Sequence, residues 1–144
     1  MRGNGTSDIL ASANVDWTGV TACTIFVVAK KNGTAAATVL CKGEPESTAG
    51  AALLVNQAAA SVGVHATMPG GTYDSYSTGA NTYPVSGPPM IFAAVVDAGA
   101  AAPEESLWVN GVAETLSILN NVDLSNLGST TPYSVFARAA SAWF

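Results

Sequence analysis

The sequence predicts an all-β chain folded as an antiparallel two-sheet sandwich, and three observations carry that expectation. Asn110-Gly111 lies between the apolar runs Leu107-Trp108-Val109 and Val112-Ala113. Both turn residues tolerate the positive φ that a type I′ turn demands, so two strands should meet there. Short runs rich in β-branched and aromatic residues recur along the chain between Gly/Pro-containing turns, a pattern that indicates a sandwich or jelly roll. With 144 residues and no internal repeat, residues 1–144 suit a single domain with a real two-layer core.

Taken in order, residues 21–30 (TACTIFVVAK) read as a buried strand, stopped by Lys30-Lys31-Asn32-Gly33. Residues 35–42 (AAATVLCK) are expected to return as its antiparallel partner. That hairpin would set Cys23 nearly opposite Cys41, close enough for a disulfide if their Cα atoms lie within about 7 Å. Two small buried hydrophobes are the preferred reading, because nothing establishes an oxidising compartment. Residues 43–50 form a polar loop. Residues 51–57 (AALLVNQ) have helix-favouring alanines and leucines but are assigned to a strand, since strand character resumes at once in residues 61–67. There Val62, Val64 and Ala66 share one face, and Ser61, Gly63, His65 and Thr67 the other. Residues 68–89 are dense in Gly, Pro, Ser and Tyr and read as a long loop excursion. Strands are expected again at residues 90–97, 106–110, 112–116 and 132–139, with a turn-rich passage at 121–128. Ile25, Val27, Val39, Leu54, Phe92, Val95, Leu107 and Val109 should supply much of the core.

Composition narrows the function. The chain is 49% hydrophobic and only 10% charged, against roughly 25% charged in a typical soluble domain. A surface built of Ser, Thr, Asn, Gly and Ala is poorly protected against association, which favours an oligomer or a larger assembly. A net charge of −5 with five basic residues argues against nucleic acid. No apolar run reaches the roughly 18 residues that span a bilayer as a helix, so no membrane partner is expected, and residues 1–8 show no apolar signal segment.

The order of pieces resembles concanavalin A-like and laminin-G-like jelly rolls. Residues 3–10 (GNGTSDIL) resemble the opening "F-x-G-x-x-D-x-L", although Arg2 stands where the family has an aromatic. Residues 24–30 are similar to the next strand, 37–43 to the "LLSKG" return strand, 107–112 to the "LYVNGV" hairpin, and 133–138 to the penultimate strand. The resemblance implies one more strand, reading like "GDIAEVLVY", after the equivalent of Trp143-Phe144. That strand would lie beside the first, so without it the expectation is an open sheet edge near residues 8–11, which recruits partners. Charge-poor members of the family resemble structural modules of tailed-bacteriophage particles. A virion location follows as the expectation, with an extracellular one as the alternative.

Polysaccharide hydrolysis on this type of fold needs two carboxyls about 5–5.5 Å apart. Glu44 and Glu46 straddle Pro45 in a loop, and the adjacent Glu104 and Glu105 would point to opposite faces of a strand. Both pairs are read as solvated charge. His65 is the sole histidine, and no Gly-x-Ser-x-Gly elbow accompanies it. Two cysteines with one histidine make no zinc signature, and no acidic loop supplies calcium's six to eight oxygens. No enzyme activity, cofactor or metal is therefore expected. Tyr73, Asp74, Tyr76 and Tyr83 are the binding candidates, since tyrosines suit both sugar stacking and protein contacts. Trp143 and Phe144 are candidates for a partner contact, as aromatics are enriched in interface cores. The expected partners are other virion proteins or further copies of the chain. A glycan, bound by a lectin-like domain, is the alternative.

Overall fold

A computed structural model describes residues 10–30, 37–42, 50–55, 62–67, 73–79, 87–98, 105–124, 126–128, 132–135, 137–138 and 141–142. The described residues are all-β. Thirteen strands follow in order: β1 (Leu10–Asn14), β2 (Ala22–Ala29), β3 (Ala37–Lys42), β4 (Gly50–Val55), β5 (Val62–Thr67), β6 (Tyr73–Ser77), β7 (Met90–Asp97), β8 (Ser106–Val109), β9 (Val112–Ala113), β10 (Ser117–Asn120), β11 (Pro132–Val135), β12 (Ala137–Arg138) and β13 (Ser141–Ala142). One sheet has seven strands in the order β1-β11-β3-β4-β5-β6-β10, and a second has four in the order β2-β7-β8-β9. A short β12–β13 ladder forms a third, two-stranded sheet, with β12 beside β3. Every pairing is antiparallel.

The core lies between the two larger sheets. Val62 and Val64 of β5 meet Ile25, Phe92, Ala94, Val96, Leu107 and Val109 from the four-stranded sheet. This is the alternation expected of stacked sheets, whose inner faces interdigitate about 10 Å apart. Val62 and Val64 take the shared buried face that their spacing predicts. Ile25, Phe92, Leu107 and Val109 are buried as expected, and Val27 packs half-buried against them. Val95 is a correction. In β7 the inward residues are Phe92, Ala94 and Val96, so Val95 faces outward on the opposite side of the pleat. Val39 and Leu54 lie in β3 and β4, and their side chains fall outside those described.

The expected hairpin forms where Asn110-Gly111 puts it. Asn110 has φ 52° and Gly111 φ 82°, and Val109 pairs with Val112 across them. Asn110 also ties the turn to β7, donating its N–H to the Ile91 carbonyl at 2.8 Å and accepting the Ile91 N–H on Oδ1 at 2.9 Å.

Four other expectations are corrected. The run at residues 35–42 does not return as the partner of β2: β2 pairs with β7 over eight residues, from Ala22↔Asp97 to Ala29↔Met90, and β3 joins the other sheet between β11 and β4. Cys23 and Cys41 thus belong to strands of different sheets, and Cys23 carries a free thiol. The excursion at residues 68–89 contains β6, inserted between β5 and β10. The strand expected at 112–116 ends at Ala113 as β9, which completes the hairpin, and an unexpected strand, β10, follows at Ser117–Asn120 and pairs with β6 in the other sheet. The run at 132–139 divides into β11 and β12. Of the strand expected at 51–57, residues 51–55 lie in β4, which is strand rather than helix from Gly50 to Val55, and residues 56–57 lie outside the described residues.

The turn-rich passage at 121–128 closes one end of the sandwich. Leu124 and Leu127 are buried there, and the Leu127 N–H donates to the Val20 carbonyl at 2.7 Å. A Cβ on Gly128 would lie 3.0 Å from the Trp17 carbonyl oxygen and 2.8 Å from Asn126 Oδ1, so this close approach requires glycine. Asp16 fixes the facing turn by accepting both the N–H and the hydroxyl of Thr18 on Oδ1.

Candidate functional site

Two features of the described residues stand out: a small cavity between the sheets and an apolar face outside them. The cavity encloses about 70 Å³ and is lined by Trp17, Cys23, Thr24, Ile25, Leu40, Lys42 and Tyr133. Lys42, at the end of β3, is only 1% exposed. Its Nζ lies 5.3 Å from the Trp17 ring centroid and 5.8 Å from that of Tyr133. The two rings meet edge to face, with centroids 5.7 Å apart and an interplanar angle of 78°. Aromatic faces carry negative potential, so this box favours a cation where an apolar wall would not.

Burial in the cavity disfavours ionisation of its thiol and its phenol. Burial pushes the Cys23 thiol up to about 11, which leaves very little thiolate, the nucleophilic form, at neutral pH. Burial also raises the Tyr133 phenol; the Trp17 hydrogen bond opposes that shift and nearby Cys23 adds to it. Next to Trp17 in the chain, the two hydrogen bonds from Thr18 hold the Asp16 carboxyl below its usual value, helped by the charge of Lys42. The lining offers neither carboxylate nor imidazole. Its arrangement holds a lysine charge against two rings and couples β3 and β11 to the loop that carries Trp17.

The second feature is the outer face of the four-stranded sheet. The pleat of β2 turns Thr24, Phe26 and Val28 outward, that of β7 turns Ile91, Ala93 and Val95 outward, and β8 adds Trp108. Phe26 is 74% exposed, Val28 69%, Ile91 55% and Trp108 37%. Cross-strand register puts Phe26, Ala93 and Trp108 in one row, so a small residue sits between two aromatics. The result is a shallow concavity of about 420 Å³ lined by Thr24, Phe26, Ile91, Ala93, Val95, Trp108 and Gly111. Antiparallel sheets with one solvated face ordinarily turn polar residues outward. Here the exposed centre is apolar.

The residues singled out from sequence are distributed as follows. Tyr73 and Asp74 begin β6, paired with Thr67 and Ala66 of β5, and their side chains fall outside those described. Tyr76 is a correction: it is fully buried and donates its hydroxyl to Asn121 Oδ1 at 2.7 Å, because β6 is an internal strand buried on both faces, Ser75 and Ser77 included. It presents no face to a ligand. Tyr83, Trp143 and Phe144 lie outside the described residues, as do Glu44, Glu46 and Glu104. Glu105, expected as solvated charge, is 1% exposed at the start of β8. His65 sits in β5 opposite Ala52 and Ser75. Among the described residues no group of three metal-ligating side chains forms, and no helix is long and apolar enough to cross a membrane.

The outer apolar face escaped sequence reasoning for a physical reason. A continuous run such as ACTIFVVA reads as a strand covered on both faces. Covering is a property of neighbours, and the run itself does not reveal that one side lacks them.

Fold and site together define an all-β sandwich with a lysine–aromatic cavity inside and an apolar sheet face outside. No family model, no curated protein and no solved structure matches this chain.

Proposed function

We propose that the chain is a non-catalytic structural module that works by surface contact, as a decoration or fibre-associated subunit of a virus particle. The observation that carries this reading is the exposed apolar face around Phe26, Ile91 and Trp108. Contiguous exposed apolar surface marks interaction sites in soluble proteins, and only 10% of this chain is charged. The ordered resemblance of the sequence to concanavalin A-like jelly rolls supports the phage-particle setting.

The cavity supports the non-catalytic part. Its thiol is held protonated and its lysine is enclosed by rings, so the groups present serve packing better than chemistry. Immunogold labelling of particles from a source that encodes the chain tests the setting, with labelled particles expected and unlabelled particles overturning it. A glycan array tests the mode. No specific binding is expected, whereas a glycan signal lost on Asp74→Ala would replace the structural role with that of a lectin.

A further inference from the structure

We propose that the outer face of the four-stranded sheet binds a second copy of this chain, face to face about a two-fold axis that lies across the strands. The inference rests on the reading of this face as a contact surface and adds its occupant and its geometry.

Charge placement argues for the occupant. Along β2 the outward positions are Ala22, Thr24, Phe26 and Val28, and the same alternation carries on to exposed Lys30. Along β7 they are Ile91, Ala93 and Val95, ending on Asp97. Because Ala29 pairs with Met90 and Ala22 with Asp97, the lysine stands at one end of the face and the aspartate at the other. Between them no described residue of the face is charged. A surface that is positive at one end, negative at the other and apolar in the middle is complementary to itself when turned end for end. Stacked with strands antiparallel across the interface, each copy sets Lys30 above Asp97 of the other. The row Phe26–Ala93–Trp108 then lies near the axis, where aromatic rings of both copies meet. Two-fold, self-complementary contacts are the commonest form of oligomer.

Size sets the strength. Eight residues at about 3.3 Å by three strands at about 4.8 Å give a footprint of about 26 Å by 14 Å. That is below a standard stable interface of roughly 800 Å² per partner, so the pairing should be micromolar in solution and strengthened where copies are held side by side.

Sedimentation velocity from 1 to 300 µM on the full chain tests this. The expected result is a concentration-dependent monomer–dimer equilibrium, weakened about 100-fold by Phe26→Glu. Lys30→Glu, which sets like charges together at both ends, should weaken it about tenfold, and adding Asp97→Lys should restore it to within about threefold. Hydroxyl-radical footprinting of the unmutated chain gives a readout free of any folding defect: oxidation of Phe26 and Trp108 should fall as concentration rises. A monomer at 300 µM, a dimer indifferent to Phe26→Glu, an unchanged footprint, or failure of the charge exchange to restore pairing in a folded variant would each overturn the proposal. A monomer that still labels virus particles overturns the pairing alone; a dimer absent from particles overturns the virion reading alone.

Discussion

At the scale of single residues, Gly111 carries the clearest constraint. Its φ of 82° lies in the left-handed region, where a β-branched side chain costs about 1–3 kcal/mol. Gly111→Val should therefore lower the melting temperature by roughly 3–9 °C, at about 3 °C per kcal/mol for a chain of this size. A melting curve that does not move would remove the turn from the list of features holding the hairpin. Tyr76 offers a second test. Tyr76→Phe keeps the buried ring and deletes its hydrogen bond to Asn121, a loss of about 1 kcal/mol by urea denaturation. Cys23 supplies the pH dependence. With its folded value pushed up to about 11 from an ordinary 9, alkylation at pH 8 should be far slower than in urea and should accelerate as pH approaches 11. The sign for stability follows from the same shift. Below about pH 9 both states hold the proton; above it the unfolded chain ionises first, so this thiol's contribution is lost as pH rises from about 9 to 11.

At the scale of elements, the pairing of β2 with β7 and the loop carrying Trp17 do the joining. Lys42 is buried in the Trp17–Tyr133 box with its stem inside the sandwich. Lys42→Ala should cost about 2 kcal/mol through lost packing and cation–π contact, well above a surface lysine. Denaturant titration followed by tryptophan fluorescence would show it, and a change within 0.5 kcal/mol would make the box incidental. Strand existence was legible wherever a run had its own chemistry: ACTIFVVA and MIFAAVVD appear within a residue of expectation, and the Asn-Gly turn forms where it was placed. Strand β6 was not legible. Its sequence YDSYS has no hydrophobic alternation, and it is a strand because β5 and β10 flank it with backbone partners. Its burial explains why Tyr76, chosen for its binding chemistry, serves the core instead.

At the scale of the whole molecule, four of the ten described strand pairings, including those that start each large sheet, join strands far apart in sequence. β1 pairs with β11, β2 with β7, and β6 with β10. Closing such distant pairs loses loop entropy before contacts compensate, so refolding by stopped-flow dilution from urea should take milliseconds to seconds rather than microseconds. Residue chemistry alone determined the all-β class, the turn at Asn110-Gly111, the inward valines of β5 and the scarcity of charge. Those properties are local: φ preference, side-chain period and composition belong to the chain before it folds. Which strand pairs with which, which face of β2 and β7 is covered, and whether Lys42 or Glu105 meets water were decided by tertiary structure. A strand's two edges and two faces are equivalent until other strands occupy them. That is why Val95, alike in chemistry to buried Val96, faces outward beside Phe26 and Trp108.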